Sequence, residues 1–285
     1  MRADRDDRRW LAAAAALAAR ARPLSRPNPA VGALVIANGV VVGRGWTQPG
    51  GRPHAEAMAL AQAGEGARGG TLYVTLEPCA HRSERGPACA DLVRESGLER
   101  VVVGCTDPDP RTAGAGIARL REASIAVDIL AMASVEDSLA GYLTRQRAKR
   151  PFVTLKLATS LDGCIATASG ESQWITGEAA RAHGHVLRSR SDAILVGGGT
   201  LRADTPRLDV RLPGLSERSP RRWVLTRRAA PEDWHTLPAP TDLSVMKETQ
   251  YLLVEGGAGA AAAFVQAGCV DRLVLYRAPI LIGNG

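Results

Sequence analysis

Short apolar runs alternate along the chain with segments whose apolar positions fall three and four apart, the mark of mixed strand and helix. Trp10, Leu11, Ala14, Leu17, Ala18 and Ala21 have helical spacing and predict an amphipathic first helix. A Pro-rich turn, Arg26-Pro27-Asn28-Pro29, leads to Ala33, Leu34, Val35 and Ile36, which read as a buried strand. Asn38-Gly39 is a hairpin signal, and a second strand is expected over 40–43. A helix opened by His54 should run to Ala67, with Met58, Leu60 and Ala61 inward and Gly69-Gly70 ending it. Strands are expected over 71–76 and 100–105, and helices over 90–96 and 135–143. A hairpin followed by alternating helix and strand predicts a three-layer α/β domain with a mainly parallel sheet.

The basic stretch from Arg145 to Arg150, closed by Pro151, marks a boundary and places two domains at 1–146 and 147–285. Past it, Phe152, Val153, Thr154, Leu155, Lys156 and Leu157 alternate as a strand, with a turn over 158–163. The apolar runs 192–196 and 251–254 both end in glycine clusters, Gly197-Gly198-Gly199-Thr200 and Glu255-Gly256-Gly257-Ala258-Gly259-Ala260, and an Ala-rich helix follows the second. Glycines between a strand and a helix let backbone N–H groups approach a phosphate; a tight loop that merely needs glycine is the alternative. Neither cluster fits G-x-G-x-x-G with an acidic residue beyond it, which excludes a Rossmann dinucleotide site on sequence grounds. The segment 229–250 has little regular pattern, and the chain is expected to close with a strand ending in Gly283-Asn284-Gly285.

A chain of 285 residues has room for two cores, and 45% apolar with 23% charged residues is ordinary globular composition. Aromatics at 4% argue against base-stacking platforms. The net charge of +7 suits an anionic partner, nucleic acid or a phosphorylated small molecule, although scattered arginines also make an ordinary solvated surface. Five cysteines, an odd number without the dense spacing of a disulfide scaffold, fit a reducing cytoplasm. Arg8-Arg9 before an alanine-rich stretch resembles an export signal in layout, but the helical spacing favours an amphipathic helix. No apolar run approaches a membrane span, so no membrane partner is expected.

The chemistry gathers around His54-Ala55-Glu56 and Glu77-Pro78-Cys79, with Cys89 beyond. An imidazole and two thiolates are the donors zinc prefers, and three protein ligands leave a fourth position for water. Glu56, two residues after the His, can reach that position without binding metal and is the expected proton carrier. A lone cysteine is usually a small buried hydrophobe, and His-x-Glu arises by chance. The combination, with the cysteine where a strand should end, matches the zinc-deaminase pattern H-x-E followed by P-C-x-x-C. Here the residues 80–88 separate the two cysteines instead of two residues.

Pro27-Asn28-Pro29-x-Val31-Gly32, His54-x-Glu56, Glu77-Pro78-Cys79 with a distant Cys89, and Thr106-Asp107-Pro108-Asp109-Pro110 together resemble the deaminase half of bacterial bifunctional riboflavin-biosynthesis enzymes. The resemblance implies a cytidine-deaminase-like domain that holds one zinc ion and hydrolyses the 2-amino group of diaminohydroxyphosphoribosylaminopyrimidine. It implies Asn28 and His81 as substrate contacts, although Asn28 also suits a plain turn between two prolines.

Lys156-x-Ala158-x-Ser160-Leu161-Asp162-Gly163, Gly170-Glu171-Ser172-Gln173-Trp174-Ile175-Thr176, Leu187-Arg188, Asp192-Ala193-Ile194-x-Val196-Gly197, Thr200-x-x-x-Asp204-x-Pro206-x-Leu208 and Glu255-Gly256-Gly257 resemble the second half of the same enzymes. That half is similar in fold to dihydrofolate reductase and implies NADPH-dependent reduction of the ribosyl group to ribityl. Thr159, Trp174, Thr200, Asp204 and Gly257, Ala258, Gly259, Ala260, Ala261, Ala262 and Ala263 then match cofactor contacts. Lys156, Ser172, Arg188, Leu208, Arg211 and Glu255 match substrate contacts, with Arg188 and Arg211 as guanidinium clamps for the 5′-phosphate. Arg227 stands where the family has a serine that meets the cofactor, and the segment between Arg211 and Glu255 is shorter than usual. A homo-oligomer is expected. The competing readings are a nucleic-acid deaminase, a deaminase whose second half serves only assembly or substrate holding, and a structural zinc domain.

Overall fold

The computed structural model describes residues 2–171 and 175–283; Ser172 and Trp174 lie outside the described residues. The chain folds as two units, Met1–Ala148 and Lys149–Gly285.

In the first unit, α1 (Arg2–Ala18) precedes a hairpin of β1 (Gly32–Ala37) and β2 (Val40–Trp46). Asn38 and Gly39 turn it with φ of 50° and 75°, the paired positive values that match strand twist. Then come α2 (Ala55–Ala63), β3 (Thr71–Val74), α3 (Cys89–Glu95), β4 (Arg100–Val103), α4 (Ala115–Glu122), β5 (Ala126–Ile129) and α5 (Ala133–Ala148). The sheet order is β2-β1-β3-β4-β5, antiparallel from β2 to β3 and parallel from β3 to β5. Gly32 pairs with Trp46 and Ala33 with Gly45, so Gly32 and Gly45 look to opposite faces. A Cβ on Gly32 would lie 2.0 Å from the Ala14 carbonyl oxygen of α1, and one on Gly45 2.0 Å from the Ala55 carbonyl oxygen of α2. Glycine thus lets a helix close on each face, which makes the three layers. Leu11, Leu72, Val74, Val101, Val103, Leu120 and Leu139 fill the core between them.

Two details depart from the pattern reading. The His54 helix stops at Ala63, where Gly64 takes φ 51° and starts a 3₁₀ turn over Gly64–Ala67. The sequence also hides α4 and β5: only Val127 of β5 is buried, and α4 carries Gly116 and two arginines, so neither shows a strong apolar period.

The second unit has β6 (Phe152–Thr159), α6 (Glu178–Ser189), β7 (Ala193–Gly197), α7 (Gly198–Asp204), β8 (Arg221–Leu225), β9 (His235–Leu237), β10 (Tyr251–Glu255), α8 (Ala258–Gln266) and β11 (Arg272–Arg277). All its strands are parallel, in the order β11-β6-β10-β7-β8-β9. Ala193 and Leu195 of β7 pack with Phe264 of α8, whereas Ile194 and Val196 pack with Leu187 of α6. The irregular segment 229–250 holds β9 and a 3₁₀ turn over Pro240–Val245. The last strand is β11, not a strand reaching Gly283: the described residues beyond Pro279 form none. Because β10 inserts between β6 and β7, the carboxyl ends of these three strands stand side by side, the usual place for a ligand crevice in an open parallel sheet. Among the described residues no helix is long and apolar enough to cross a membrane.

Candidate active sites

His54 caps the N-terminus of α2, Cys89 opens α3, and Cys79 follows the end of β3. These elements bring His54 Nδ1 to 3.3 Å from Cys89 Sγ and 3.6 Å from Cys79 Sγ. The three donor atoms lie within 4.8 Å of one another. Zn–N and Zn–S bonds of usual length at a tetrahedral angle set N···S edges of about 3.5 Å, so the donor set fits zinc both in chemistry and in spacing. The Cys89 N–H donates to Cys79 Sγ at 3.3 Å. Contact with Cys89, together with His54, holds the Cys79 thiol well below its ordinary pKa against the effect of burial. Cys89 moves the other way, raised by its contact with Cys79 and by burial.

Glu56 lies in the first turn of α2 and is only 3% exposed. Burial pushes its carboxyl up to about 7, with the His54 charge opposing. Asn28 sits on the far side of the imidazole, its Nδ2 3.2 Å from His54 Nε2 and donating to the Gly51 carbonyl at 3.2 Å. His81 Nδ1 is 3.4 Å from Oγ1 of the buried Thr112.

The role of Glu77 was not legible in the sequence. Its buried carboxylate accepts backbone N–H bonds from Asp107, Gly114 and Ile117 at 3.2, 2.9 and 3.1 Å. A Cβ on Gly116 would lie 2.0 Å from the Pro78 carbonyl oxygen. The ligand-bearing turn and the 106–117 loop are therefore clamped together. The only signal in the sequence is an acid directly before Pro-Cys. The long 80–88 loop is tied down in a similar way: Arg52 donates to the Pro87 carbonyl and Arg85 to the Gly50 carbonyl.

In the second unit, a cavity of about 720 Å³ opens at the carboxyl ends of β6 and β10. Lys156 and Glu255 pair across these strands, with Lys156 Nζ 3.9 Å from Glu255 Oε2. Arg188 of α6 grips the same carboxylate, Nε to Oε1 at 2.8 Å and Nη2 to Oε2 at 2.9 Å, and gives Nη1 to the Asp209 carbonyl. Burial raises the Glu255 pKa, but the Arg188 hydrogen bonds and charge outweigh it and leave the carboxyl below its usual value. Thr200, Asp204, Arg211 and Gly257 also line the cavity, as do Arg181 and His185, which the sequence did not single out. The expected guanidinium clamp is thus divided: Arg188 is committed to Glu255, and the more exposed Arg211 faces the cavity.

Three groups of expected contacts are placed differently. Leu208 is buried among Ile194, Val196 and Leu253 with φ 55°, so its side chain serves packing and only its backbone is left for a ligand. Thr159, at the end of β6, is 8% exposed and does not line the cavity. Along α8, Ala260 and Ala261 are buried, Ala262 is exposed and Ala263 half-buried, and of this stretch only Gly257 lines the cavity, with the first turn at Ala258 and Gly259 next to it. That turn is a cradle made by glycine: a Cβ on Gly256 would meet the Ala260 Cβ at 2.7 Å, and one on Gly197 would meet it at 3.3 Å. Backbone N–H groups of a helix start at a glycine-lined crevice fit the phosphates of a nucleotide cofactor such as NADPH.

Residues 4–105 match the cytidine and deoxycytidylate deaminase zinc-binding region, and residues 151–285 match the RibD C-terminal domain. The riboflavin biosynthesis protein RibD of Escherichia coli (strain K12) is 39% identical, over 98% of this chain and 89% of its own length. That of Aquifex aeolicus (strain VF5) is 36% identical, over 98% and 88%. The crystal structure of a diaminohydroxyphosphoribosylaminopyrimidine deaminase/5-amino-6-(5-phosphoribosylamino)uracil reductase from Thermotoga maritima superposes with a TM-score of 0.90 at 32% identity, covering 99% of this chain and 89% of that one. Acinetobacter baumannii RibD, form 1, gives 0.86 at 37% identity, covering 98% and 88%. With a His-Cys-Cys zinc site in one unit and a reductase fold in the other, the chain belongs to the RibD family of bifunctional deaminase/reductases of riboflavin biosynthesis.

Proposed function

We propose that the first unit deaminates diaminohydroxyphosphoribosylaminopyrimidine and that the second reduces the resulting 5-amino-6-(5-phosphoribosylamino)uracil with NADPH. The convergence of His54 Nδ1, Cys79 Sγ and Cys89 Sγ beside the buried Glu56 carries this reading. Zinc, when bound, supplies the positive charge that lets water attack near neutral pH. Glu56 takes the proton of the attacking water and passes protons to the ring nitrogen and the departing amine. The C–N bond breaks, ammonia leaves, and a ring carbonyl forms. The clamp of Glu77 on the 106–117 loop fixes the buried Thr112, against which His81, the expected substrate contact, rests.

When bound in the second unit, NADPH supplies a hydride to C1′ of the ribosylamino group. The sugar ring opens, and its oxygen needs a proton. Lys156, on the cavity wall, is the group suited to give one. Arg211 faces the 5′-phosphate, while Arg188 fixes Glu255. Thr200, Asp204 and the first turn of α8 hold the cofactor. The domain limits are taken as 1–146 and 147–285, a reading supported by the division of the chain after Ala148. Five free cysteines support a cytoplasmic setting. Leu273 and Leu275, 56% and 48% exposed on β11, support contact with a second chain.

The test follows ammonia release from the diaminopyrimidine phosphate, then nicotinamide oxidation once NADPH is added. Both signals in sequence are expected. Ammonia release without nicotinamide oxidation reduces the chain to its deaminase. Neither signal with zinc bound refutes the reading.

A further inference from the structure

His54 turns Nδ1 toward the two sulfurs, so its Nε2 faces away from the metal position, at 3.2 Å from the Asn28 amide. An imidazole that gives its Nδ1 lone pair to a metal is neutral and keeps its proton on Nε2, which must then donate. The partner it meets must accept. The amide as it stands turns its donor, Nδ2, to Nε2, but the backbone of Asn28 is fixed beside the ring: its N–H donates to the Ser25 carbonyl at 3.0 Å, and Ser25 Oγ donates to the Asn28 carbonyl at 3.3 Å. Room for its side chain depends on Gly51, which sits at φ 90°; a Cβ there would lie 2.5 Å from Asn28 Cγ.

We propose that Asn28 is a positioning residue for the metal, fixing the tautomer and the ring angle of His54. In the zinc-bearing protein its amide turns Oδ1 toward Nε2–H, giving up the Nδ2 bond to Gly51. An oxygen facing the imidazole makes the ligand more basic and removes its freedom to rotate. The family resemblance implies Asn28 as a substrate contact, and its contact with His54 adds this second role.

The proposal rests on the zinc reading of this site, and its test reads metal affinity alone. Zinc would be titrated against a chromogenic chelator in the full-length parent, N28A, N28D and G51A, with melting of each metal-free protein as the folding control. Loss of a hydrogen-bond partner of a metal-ligating histidine lowers metal affinity by about 10–100-fold, the loss expected of N28A. N28D offers only acceptors and should bind zinc at least as tightly as the parent. G51A, which crowds the amide, should weaken zinc in the same direction as N28A and serves in its place if N28A does not fold. Parental zinc affinity in N28A, or in G51A where that stands in, overturns the role of Asn28, as does an N28D as weak as N28A. A parent that binds no zinc overturns the metal site itself.

Discussion

Arg188 and Glu255 meet through two parallel hydrogen bonds of 2.8 and 2.9 Å, joining α6 to the end of β10 with both side chains largely buried. Breaking such a pair leaves one charge without its partner, at a cost of about 3–5 kcal/mol. E255A should therefore destabilise the second unit by about 3 kcal/mol in chemical denaturation. Wild-type-like stability would show that the pair contributes nothing.

The same pair sets a pH dependence. The Glu255 carboxyl is held below its ordinary value of 4.5, so its contribution to stability is full above that pH and fades as pH falls through the lower folded value. E255Q, which cannot ionise, should differ from the parent at pH 7 and converge with it in strongly acid solution. Denaturation curves at several pH values would measure this, and a constant difference would assign the effect to packing alone.

Glu56 is a carboxylate buried beside the zinc donors, in the first turn of α2. E56Q keeps its volume and should keep zinc, but deamination should fall about a hundredfold or more. Nicotinamide oxidation on the already deaminated substrate should be unchanged. A variant retaining over about a tenth of the deamination rate would remove Glu56 from the proton path.

The first site was more legible than the second because its chemistry is local. His54 and Glu56 are neighbours in sequence, and Cys79 follows a readable strand end. Even there, the clamping role of Glu77, a member of the Glu77-Pro78-Cys79 motif, is not legible: its partners are backbone N–H groups from 106–117, which leave no side-chain pattern. In the second unit the site depends on β10 entering between β6 and β7, and no local period shows strand order. Arg188 and Glu255 are 67 residues apart, so a pairing that redirects an expected phosphate clamp could not be foreseen. Leu208 matched a motif, yet the motif does not say that its side chain turns into the core.

Removing zinc should affect one unit only. A ligand that binds the folded state stabilises it by about 4 kcal/mol at a thousandfold excess over its dissociation constant. A strong chelator should thus lower the melting temperature of the first unit and abolish ammonia release. Oxidation of NADPH by the deaminated substrate should continue. C79S should behave like the chelated parent even with zinc present, since one of three donors is lost. Equal loss of both activities under chelation would mean that the second unit also depends on the metal.

Cofactor binding decides whether the second unit acts. Gly256 and Gly197 let the strand ends and the start of α8 approach closely, and a Cβ on Gly256 would sit 2.7 Å from that of Ala260. G256A must push the α8 N-terminus away from the crevice. Overpacking of this kind costs about 1–3 kcal/mol, and about 1.4 kcal/mol is tenfold in affinity. A fluorescence titration with NADPH should show saturable micromolar binding in the parent and at least about tenfold weaker binding in G256A. Equal affinities would move the cofactor away from this helix start. A parent that binds no NADPH, with zinc and deamination intact, would make the chain a one-step deaminase whose second unit keeps the crevice without its use.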